Sequence, residues 1–192
     1  VTAELVAAYS EAQRPAGHDV VVVEQATQPI APTPVQREAL DALERTRIEG
    51  FGAGLVVMAT GLGKTWLAAF DSSRPGMRRV LFVAHRDEIL QQTRSVFRRI
   101  RPDARVGFIQ AHRNDADADI VLATVQTLHQ RLDQFDPDHF GYIVVDEFHH
   151  AAGSSYRKII SHFRPRFLLG LTATPERTDN ADLLALCEDN LV

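Results

Sequence analysis

The sequence contains one cysteine, Cys187, and two lysines, Lys64 and Lys158. A single thiol excludes a disulfide framework and a zinc site built on cysteines. No apolar run approaches the roughly 18 residues of a membrane helix, and no secretory signal is visible, so we expect a cytoplasmic protein without a membrane partner. The chain begins at Val1 without an initiator methionine, and we therefore expect a piece of a longer protein.

What is present suits one packed domain. The 192 residues are 45% hydrophobic, and their formal net charge is −4. That charge neither predicts nor excludes a nucleic-acid surface, because binding faces are local.

Apolar strands alternate with amphipathic helices over most of the chain. Helices are predicted over residues 34–50, 64–73, 86–100, 125–132 and 154–163, and strands over 54–59, 78–84, 104–109, 118–123, 142–146 and 166–173. The strands are apolar throughout, as strands buried on both faces are. The pattern predicts an α/β fold with a mostly parallel central sheet and helices on both faces.

The first 30 residues differ from the rest. They contain a predicted helix over residues 1–14, a short strand over 19–24 and the start of a proline-rich stretch. We expect residues 1–30 to be an N-terminal extension, or the tail of a preceding domain plus a linker, and residues 31–192 to form the domain. Thr33 is a predicted N-cap, with Pro34 at the first helical position.

The stretch "VVMATGLGKTWLAA" places a glycine loop between a strand and a helix. Gly61 and Gly63 allow a close backbone approach to a ligand, and the loop amides with the helix N-terminus would face phosphate oxygens. Lys64 can neutralise the outer phosphates, and the Thr65 hydroxyl can bind Mg²⁺. The usual phosphate-loop pattern begins with glycine, whereas this chain has Met58 there. The alternative is a glycine turn with a surface lysine.

A second constellation is "YIVVDEFHH", where Asp146 and Glu147 end an apolar strand. Adjacent carboxylates at the carboxyl end of a parallel strand suit a metal–nucleotide site, with Glu147 polarising the attacking water. One alternative is a solvated strand end. Another is a metal cluster that adds His149 and His150, although the spacing lacks the helical H-E-x-x-H pattern.

Taken together, these stretches resemble the first RecA-like domain of a DExH-type superfamily 2 helicase, nearest to bacterial restriction translocases and repair helicases. The matching segments follow the family order: "PTPVQREAL" for the adenine-contacting glutamine, "MATGLGKT" for motif I, "FVAHRDEILQQT" for motif Ia, "ATVQTL" for motif Ib or Ic, "DEFHH" for motif II and "GLTATP" for motif III. They cover roughly residues 32–178.

The resemblance implies a role for each matching residue. The ATP phosphates would be held by Thr60, Gly61, Leu62, Gly63, Lys64 and Thr65. Asp146 would hold Mg²⁺ through water together with Thr65, Glu147 would be the catalytic base, and Gln36 would read adenine. His149, Thr172 and Thr174 would couple motifs II and III, and Arg86, Thr124 and Gln126 would face nucleic acid, with DNA expected and RNA as the alternative.

Three of these assignments have plainer alternatives. Gln36 can be an ordinary helix-surface glutamine, Arg86 a charge at a helix start, and the segment 172–175 a capped strand end.

The resemblance predicts an ATP hydrolase that drives a helicase or translocase. Family members use a second RecA-like domain, which this chain is expected to lack, so we expect it to be a poor ATPase alone. A GTPase would need an Asn-Lys-x-Asp or Thr-Lys-x-Asp element, and neither lysine has that context. A nucleotide-binding regulatory or scaffold module without hydrolysis stays open, although Glu147 argues against it.

Overall fold

The computed structural model describes residues 30–151 and 153–173. Its helices are α1 (Pro34–Ile48), α2 (Lys64–Asp71), α3 (Asp87–Ile100), α4 (Val125–His129) and α5 (Ser154–His162). Its strands are β1 (Ala53–Val57), β2 (Val80–Ala84), β3 (Val106–Gln110), β4 (Arg113–Asn114), β5 (Ile120–Thr124), β6 (Tyr142–Val145) and β7 (Phe167–Thr172). Short 3₁₀ helices span Leu132–Gln134 and Phe148–His150. The helix and strand predicted before residue 30 lie outside the described residues.

The seven strands form one sheet in the order β1-β7-β6-β2-β5-β3-β4. Every pairing is parallel except the one between β3 and β4 at one edge. The predicted mostly parallel α/β fold is therefore confirmed. The two-residue strand β4 was not predicted, because it is a short polar return that only its antiparallel pairing with β3 defines.

Both faces of the sheet are covered by helices. Helices α1, α2 and α3 pack on one face and α4 and α5 on the other, which produces two hydrophobic clusters. Successive residues of β6 alternate between them: Tyr142 and Val144 join the first cluster, Ile143 and Val145 the second. This explains why the strands are apolar at every position. Within the described ranges, none of the helices has the length and apolar character needed to span a bilayer.

Helix α1 begins as its sequence predicts. Thr33 is the N-cap and Pro34 the first helical residue. The Gln36 backbone N–H donates to Thr33 Oγ1 at 3.3 Å, and the Thr33 N–H donates to Gln36 Oε1 at 2.9 Å. This reciprocal capping box satisfies backbone donors that a helix start leaves unpaired.

At the other end of α1, a buried carboxylate joins three elements. Asp71 is fully buried. It accepts two hydrogen bonds from the Arg47 guanidinium, one of them at 3.0 Å, and one from the Tyr142 hydroxyl at 2.6 Å. Arg74 Nε lies 3.3 Å from the same carboxylate. Burial, followed by the Asp71 charge, raises the pKa of Tyr142 well above its usual value. The contacts tie α1 and α2 to β6.

Replacing Asp71 by asparagine should strongly destabilise the domain. The Arg47 side chain is only 15% exposed, and without the Asp71 charge its one remaining carboxylate neighbour within the described residues is Glu44, at 3.8 Å and 46% exposed. The cost should therefore approach the roughly 3–5 kcal/mol of a broken buried ion pair. Urea unfolding followed by circular dichroism measures the change. The matched control is Asp138→Asn, which removes an ion pair to Arg164 whose side chains are 70% and 63% exposed. It should cost at most about 1 kcal/mol. Equal losses in the two variants would contradict the assignment.

Candidate nucleotide-binding site

The loop between β1 and α2 has the backbone of a phosphate cradle. Gly61 and Gly63 adopt φ angles of 86° and 85°, in the left-handed region where glycine is favoured. A Cβ on Gly63 would lie 2.5 Å from Gln36 Nε2, so no larger residue fits there without moving Gln36. Gly63 directly precedes α2, whose N-terminus therefore opens towards the loop.

Met58, which occupies the usual first glycine position, belongs to the core. It is 5% exposed, and its N–H donates to the Thr172 carbonyl at 2.9 Å. The side chain thus packs beneath the loop while the backbone extends the pairing of β1 with β7. Met58 therefore has a structural role in place of the usual glycine.

Lys64 lies half-buried across the loop. Its Nζ donates to the Met58 carbonyl at 3.3 Å. A phosphate group would be a stronger partner than this carbonyl, because it carries a charge opposite to that of the ammonium group. Thr60, Gly61 and Leu62 are exposed, and Thr65 is half-buried at the start of α2. The predicted phosphate residues therefore form one continuous surface.

Gln36 connects helix α1 to this loop. It is 4% exposed, so the helix-surface alternative is wrong. Its Nε2 donates to the carbonyls of Leu62 and Gly63, at 3.2 Å each, while its Oε1 accepts from Thr33. Both ends of the amide thus hold the chain together at the loop. Recognition of adenine by Gln36 stays a prediction.

Asp146 and Glu147 lie at the carboxyl end of β6. Asp146 is 7% exposed, and its Oδ1 accepts the Glu147 N–H at 3.0 Å. Burial raises the pKa of the Asp146 carboxyl; the hydrogen bond from Glu147 and the Lys64 charge oppose that rise, and the Glu147 charge adds to it. A poorly solvated carboxylate beside a phosphate loop is suited to a cation.

The side chains fit a particular kind of cation site. Over residues 30–151 and 153–173, no group of three or more His, Cys, Asp or Glu side chains could hold a metal alone. The rival cluster of Asp146, Glu147, His149 and His150 is therefore wrong. Mg²⁺ is commonly held by one or two carboxylates together with substrate phosphates. The Asp146 carboxylate and the Thr65 hydroxyl match that pattern.

His149 bridges two of the predicted motifs. Its Nδ1 lies 3.3 Å from Glu147 Oε2 and 3.1 Å from Thr172 Oγ1. Thr172 is 1% exposed at the end of β7. Glu147 adopts φ 53° and ψ 49°, a left-handed conformation that starts the 3₁₀ helix carrying His149. The structure thus brings Glu147, His149 and Thr172 together, whereas Thr174 lies outside the described residues.

The predicted nucleic-acid residues occupy different environments. Arg86 and Gln126 are exposed, and Gln126 Nε2 lies 3.4 Å from His85 Nδ1. Thr124 is 6% exposed, and its hydroxyl caps α4 by accepting the Thr127 N–H at 3.3 Å. Thr124 is thus the least accessible of the three, and the structure brings only Arg86 and Gln126 to the surface.

Sequence reasoning missed His85 as part of this region. A pocket of about 430 Å³ is lined by His85, Arg86, Glu88, Gln92, Glu147 and His150, among others. The His85 and His150 rings are 5.8 Å apart. The sequence feature that could have identified His85 is its position directly after β2, at the same sheet edge as Glu147. The catalytic-base candidate and Arg86 therefore face one shared space.

Comparison with known proteins supplies the family. The family described as "Type III restriction enzyme, res subunit" matches residues 29–177. The putative ATP-dependent helicase IRC3 of Saccharomyces cerevisiae is 31% identical over 175 residues, covering 82% of this chain and 25% of that protein. The type I restriction enzyme EcoAI endonuclease subunit of Escherichia coli is 32% identical over 157 residues, covering 72% of this chain and 19% of that protein.

Among solved structures, the Sulfolobus solfataricus SWI2/SNF2 ATPase core in complex with dsDNA has the same fold. It aligns with a TM-score of 0.65 at 21% identity, over 83% of this chain and 35% of that one. The chain spans a quarter or less of the two curated relatives it matches. It belongs to the family of the type III restriction enzyme res subunit, which confirms the predicted resemblance to the first RecA-like domain of superfamily 2 helicases.

Proposed function

We propose that this domain binds Mg²⁺–ATP and couples ATP hydrolysis to the movement of a longer protein along nucleic acid. The observation that carries the proposal is the meeting of three motifs at one sheet edge. The phosphate loop, the Asp146–Glu147 pair and the His149–Thr172 contact follow the carboxyl ends of β1, β6 and β7, which are neighbours in the sheet.

Each residue at this edge has a definite task. The amides of residues 60–65 and the Lys64 ammonium bind the ATP phosphates. Thr65 and Asp146 would hold Mg²⁺, with Asp146 acting through water, and the ion would neutralise charge on the phosphates. Glu147 orients the attacking water and accepts its proton. Gln36 holds the loop and reads adenine when the nucleotide displaces one of its present contacts.

His149 carries the state of the nucleotide to motif III. It can bond to the Glu147 carboxylate or to the Thr172 hydroxyl, which lie 3.3 Å and 3.1 Å from the same nitrogen. When Glu147 turns towards the attacking water, His149 bonds to Thr172 instead of Glu147. Thr172 and Thr174 then pass the change along the segment after β7.

The nucleic-acid partner is DNA, with RNA as the second candidate. The Escherichia coli relative is a restriction enzyme subunit, and the Sulfolobus neighbour was solved with dsDNA. Arg86 and Gln126 contact the nucleic-acid backbone, and the less accessible Thr124 contributes less to that contact.

A second RecA-like domain of the same protein supplies the opposite wall of the nucleotide site and of the nucleic-acid site. Residues 31–192 as one domain and a cytoplasmic location stay predictions.

The nucleotide site is tested first by Lys64→Ala. Loss of a charge-assisted contact to phosphate should weaken Mg²⁺–ATP binding by roughly 1.5–3 kcal/mol, measured by isothermal titration calorimetry on the 192-residue chain. Lys158→Ala is the matched control, because it removes the other lysine from the exposed side of α5. Unchanged affinity in Lys64→Ala would refute the phosphate-cradle assignment.

Asp146→Asn should separate stability from metal binding. Asparagine keeps an acceptor for the Glu147 N–H but removes a buried charge whose pKa burial has raised. A carboxyl with a raised folded-state pKa destabilises the fold as pH rises through its unfolded and then its folded pKa. We therefore expect a higher Tm at pH 8 without nucleotide, and loss of the Tm increase that Mg²⁺–ATP gives the wild type. A lower nucleotide-free Tm would contradict this.

Glu147→Gln distinguishes a motor from a nucleotide-binding module that does not hydrolyse ATP. The amide cannot accept a proton, so hydrolysis should fall roughly 10²–10⁴-fold while Mg²⁺–ATP affinity stays within about twofold. Single-turnover hydrolysis of labelled ATP with DNA present measures the rate, in the longest form of the protein that contains both RecA-like domains. If the wild type and Glu147→Gln hydrolyse ATP at equal rates, the regulatory-module alternative is favoured.

A further inference from the structure

The sheet edge opposite the nucleotide site carries a cleft of about 750 Å³. Its charged lining consists of Arg78, Arg79, Arg101 and Arg166 with Asp119 and Asp138. The cleft is therefore rich in arginine, although the chain as a whole has a net charge of −4. No assignment made above uses these residues.

The topology explains why arginines converge here. Arg79, Asp119, Gly141 and Arg166 each directly precede a strand, namely β2, β5, β6 and β7. These four strands are adjacent in the order β7-β6-β2-β5 and all run parallel. Their amino ends therefore meet at one edge. The nucleotide residues follow the carboxyl ends of the same sheet, and strands of four to six residues separate the two edges by roughly 13–20 Å.

The acidic residues of the cleft already have partners. Asp119 accepts the backbone N–H of Arg105 at 2.8 Å and lies 3.6 Å from its Nε. Asp138 accepts a hydrogen bond from Arg164 at 2.9 Å. Neither arginine lines the cleft. The two aspartates thus each pair with an arginine outside the cleft, and with four arginines against two aspartates the lining keeps a net positive charge.

The four cleft arginines themselves form no ion pair with any carboxylate in residues 30–151 and 153–173. Arg78, Arg79 and Arg166 are exposed, so their guanidinium groups are accessible to a ligand. One nitrogen of Arg79 lies 3.3 Å from His139 Nδ1, which also lines the cleft. Arg101 is half-buried and donates to the Ser72 carbonyl at 3.1 Å. Burial lowers the pKa of Arg101, and the Asp119 charge opposes that shift. A negatively charged ligand can therefore balance the positive charge of the cleft.

Backbone strain also distinguishes this edge. Within the described part of the chain, two non-glycine residues have positive φ: Glu147 at 53° and Arg79 at 51°. Such conformations cost of order 1–3 kcal/mol and concentrate at functional sites. Glu147 is the catalytic-base candidate, and Arg79 has a similar positive φ at the opposite edge, directly before β2.

We propose that this arginine cleft is a second nucleic-acid contact, which binds the phosphate backbone of a strand leaving or approaching the motor track. The assignment of a nucleic-acid ligand rests on the function proposed above. Guanidinium groups bind phosphates through paired hydrogen bonds. Arg79 and Arg166 precede β2 and β7, which lie two strand spacings or about 10 Å apart. That separation suits different phosphates of one strand rather than a single phosphate. The open cleft lets a polymer cross.

The test uses a cleft variant, Arg78→Gln/Arg79→Gln/Arg166→Gln, in the 192-residue chain. The matched control, Arg37→Gln/Arg45→Gln/Lys158→Gln, removes the same charge from exposed positions on α1 and α5. Fluorescence anisotropy with a labelled 20-nucleotide oligothymidylate, without ATP, gives the affinity between about 50 and 200 mM salt. Losing three phosphate contacts should reduce the slope of log K against log salt by about 2, so the loss of affinity should be roughly 16-fold greater at 50 mM than at 200 mM salt.

The control variant should change both quantities by less than half as much, and both variants should bind Mg²⁺–ATP like the wild type, which shows that they are folded. Equal losses in the two variants would overturn the cleft. Competition with polyglutamate tests for an acidic protein as the ligand instead. That ligand is indicated if polyglutamate displaces the oligonucleotide from the wild type at a lower concentration than unlabelled DNA does, and fails to displace it from the cleft variant. Mg²⁺–ATP affinity unchanged by Lys64→Ala contradicts the nucleotide site alone, whereas an unchanged salt slope in the cleft variant contradicts the cleft alone.

Discussion

Burial of the sheet on both faces is the constraint on which the rest of this structure depends. All residues of β2, β5, β6 and β7 are buried, so polar side chains can reach solvent and ligands only where strands end. Because these strands run parallel, their two kinds of end meet at two separate edges. The carboxyl ends collect carboxylates and hydroxyls, and the amino ends collect arginines. The chemical division of the domain follows from its strand direction.

Helix α1 holds the nucleotide edge in place, and it is itself fixed at both ends. At its start, the Gln36 amide joins the capping box to the carbonyls of the phosphate loop. Near its end, Arg47 pairs with the buried Asp71, which also binds Tyr142 of β6. The loop therefore rests on a helix whose position is set by the sheet. A change at Asp71 can disturb the loop without touching any residue that meets the nucleotide.

Local patterns in the sequence predict much of this arrangement: the capped start of α1, the apolar strands, the phosphate loop and the carboxylates after β6. Three features escape it because they depend on strand order or side-chain direction. Met58 is visible as a departure from the phosphate-loop pattern, but not as a core residue paired with β7. Asp71 reads as the last turn of a helix, while its Arg47 partner lies 24 positions away. The cleft arginines come from three separate segments of the sequence, at Arg78–Arg79, Arg101 and Arg166, and only the fold brings these segments together.

The left-handed backbone of Glu147 has a consequence for the history of such domains. Glycine or asparagine at this position would relieve a conformational cost of order 1 kcal/mol or more, so the residue assigned as the base occupies a site where another amino acid would make the fold more stable. Directed evolution for heat resistance alone would thus drift towards domains that still bind nucleotide but have lost turnover. Conversely, we expect a relative with glycine at this position to have lost ATP hydrolysis and to serve as a scaffold.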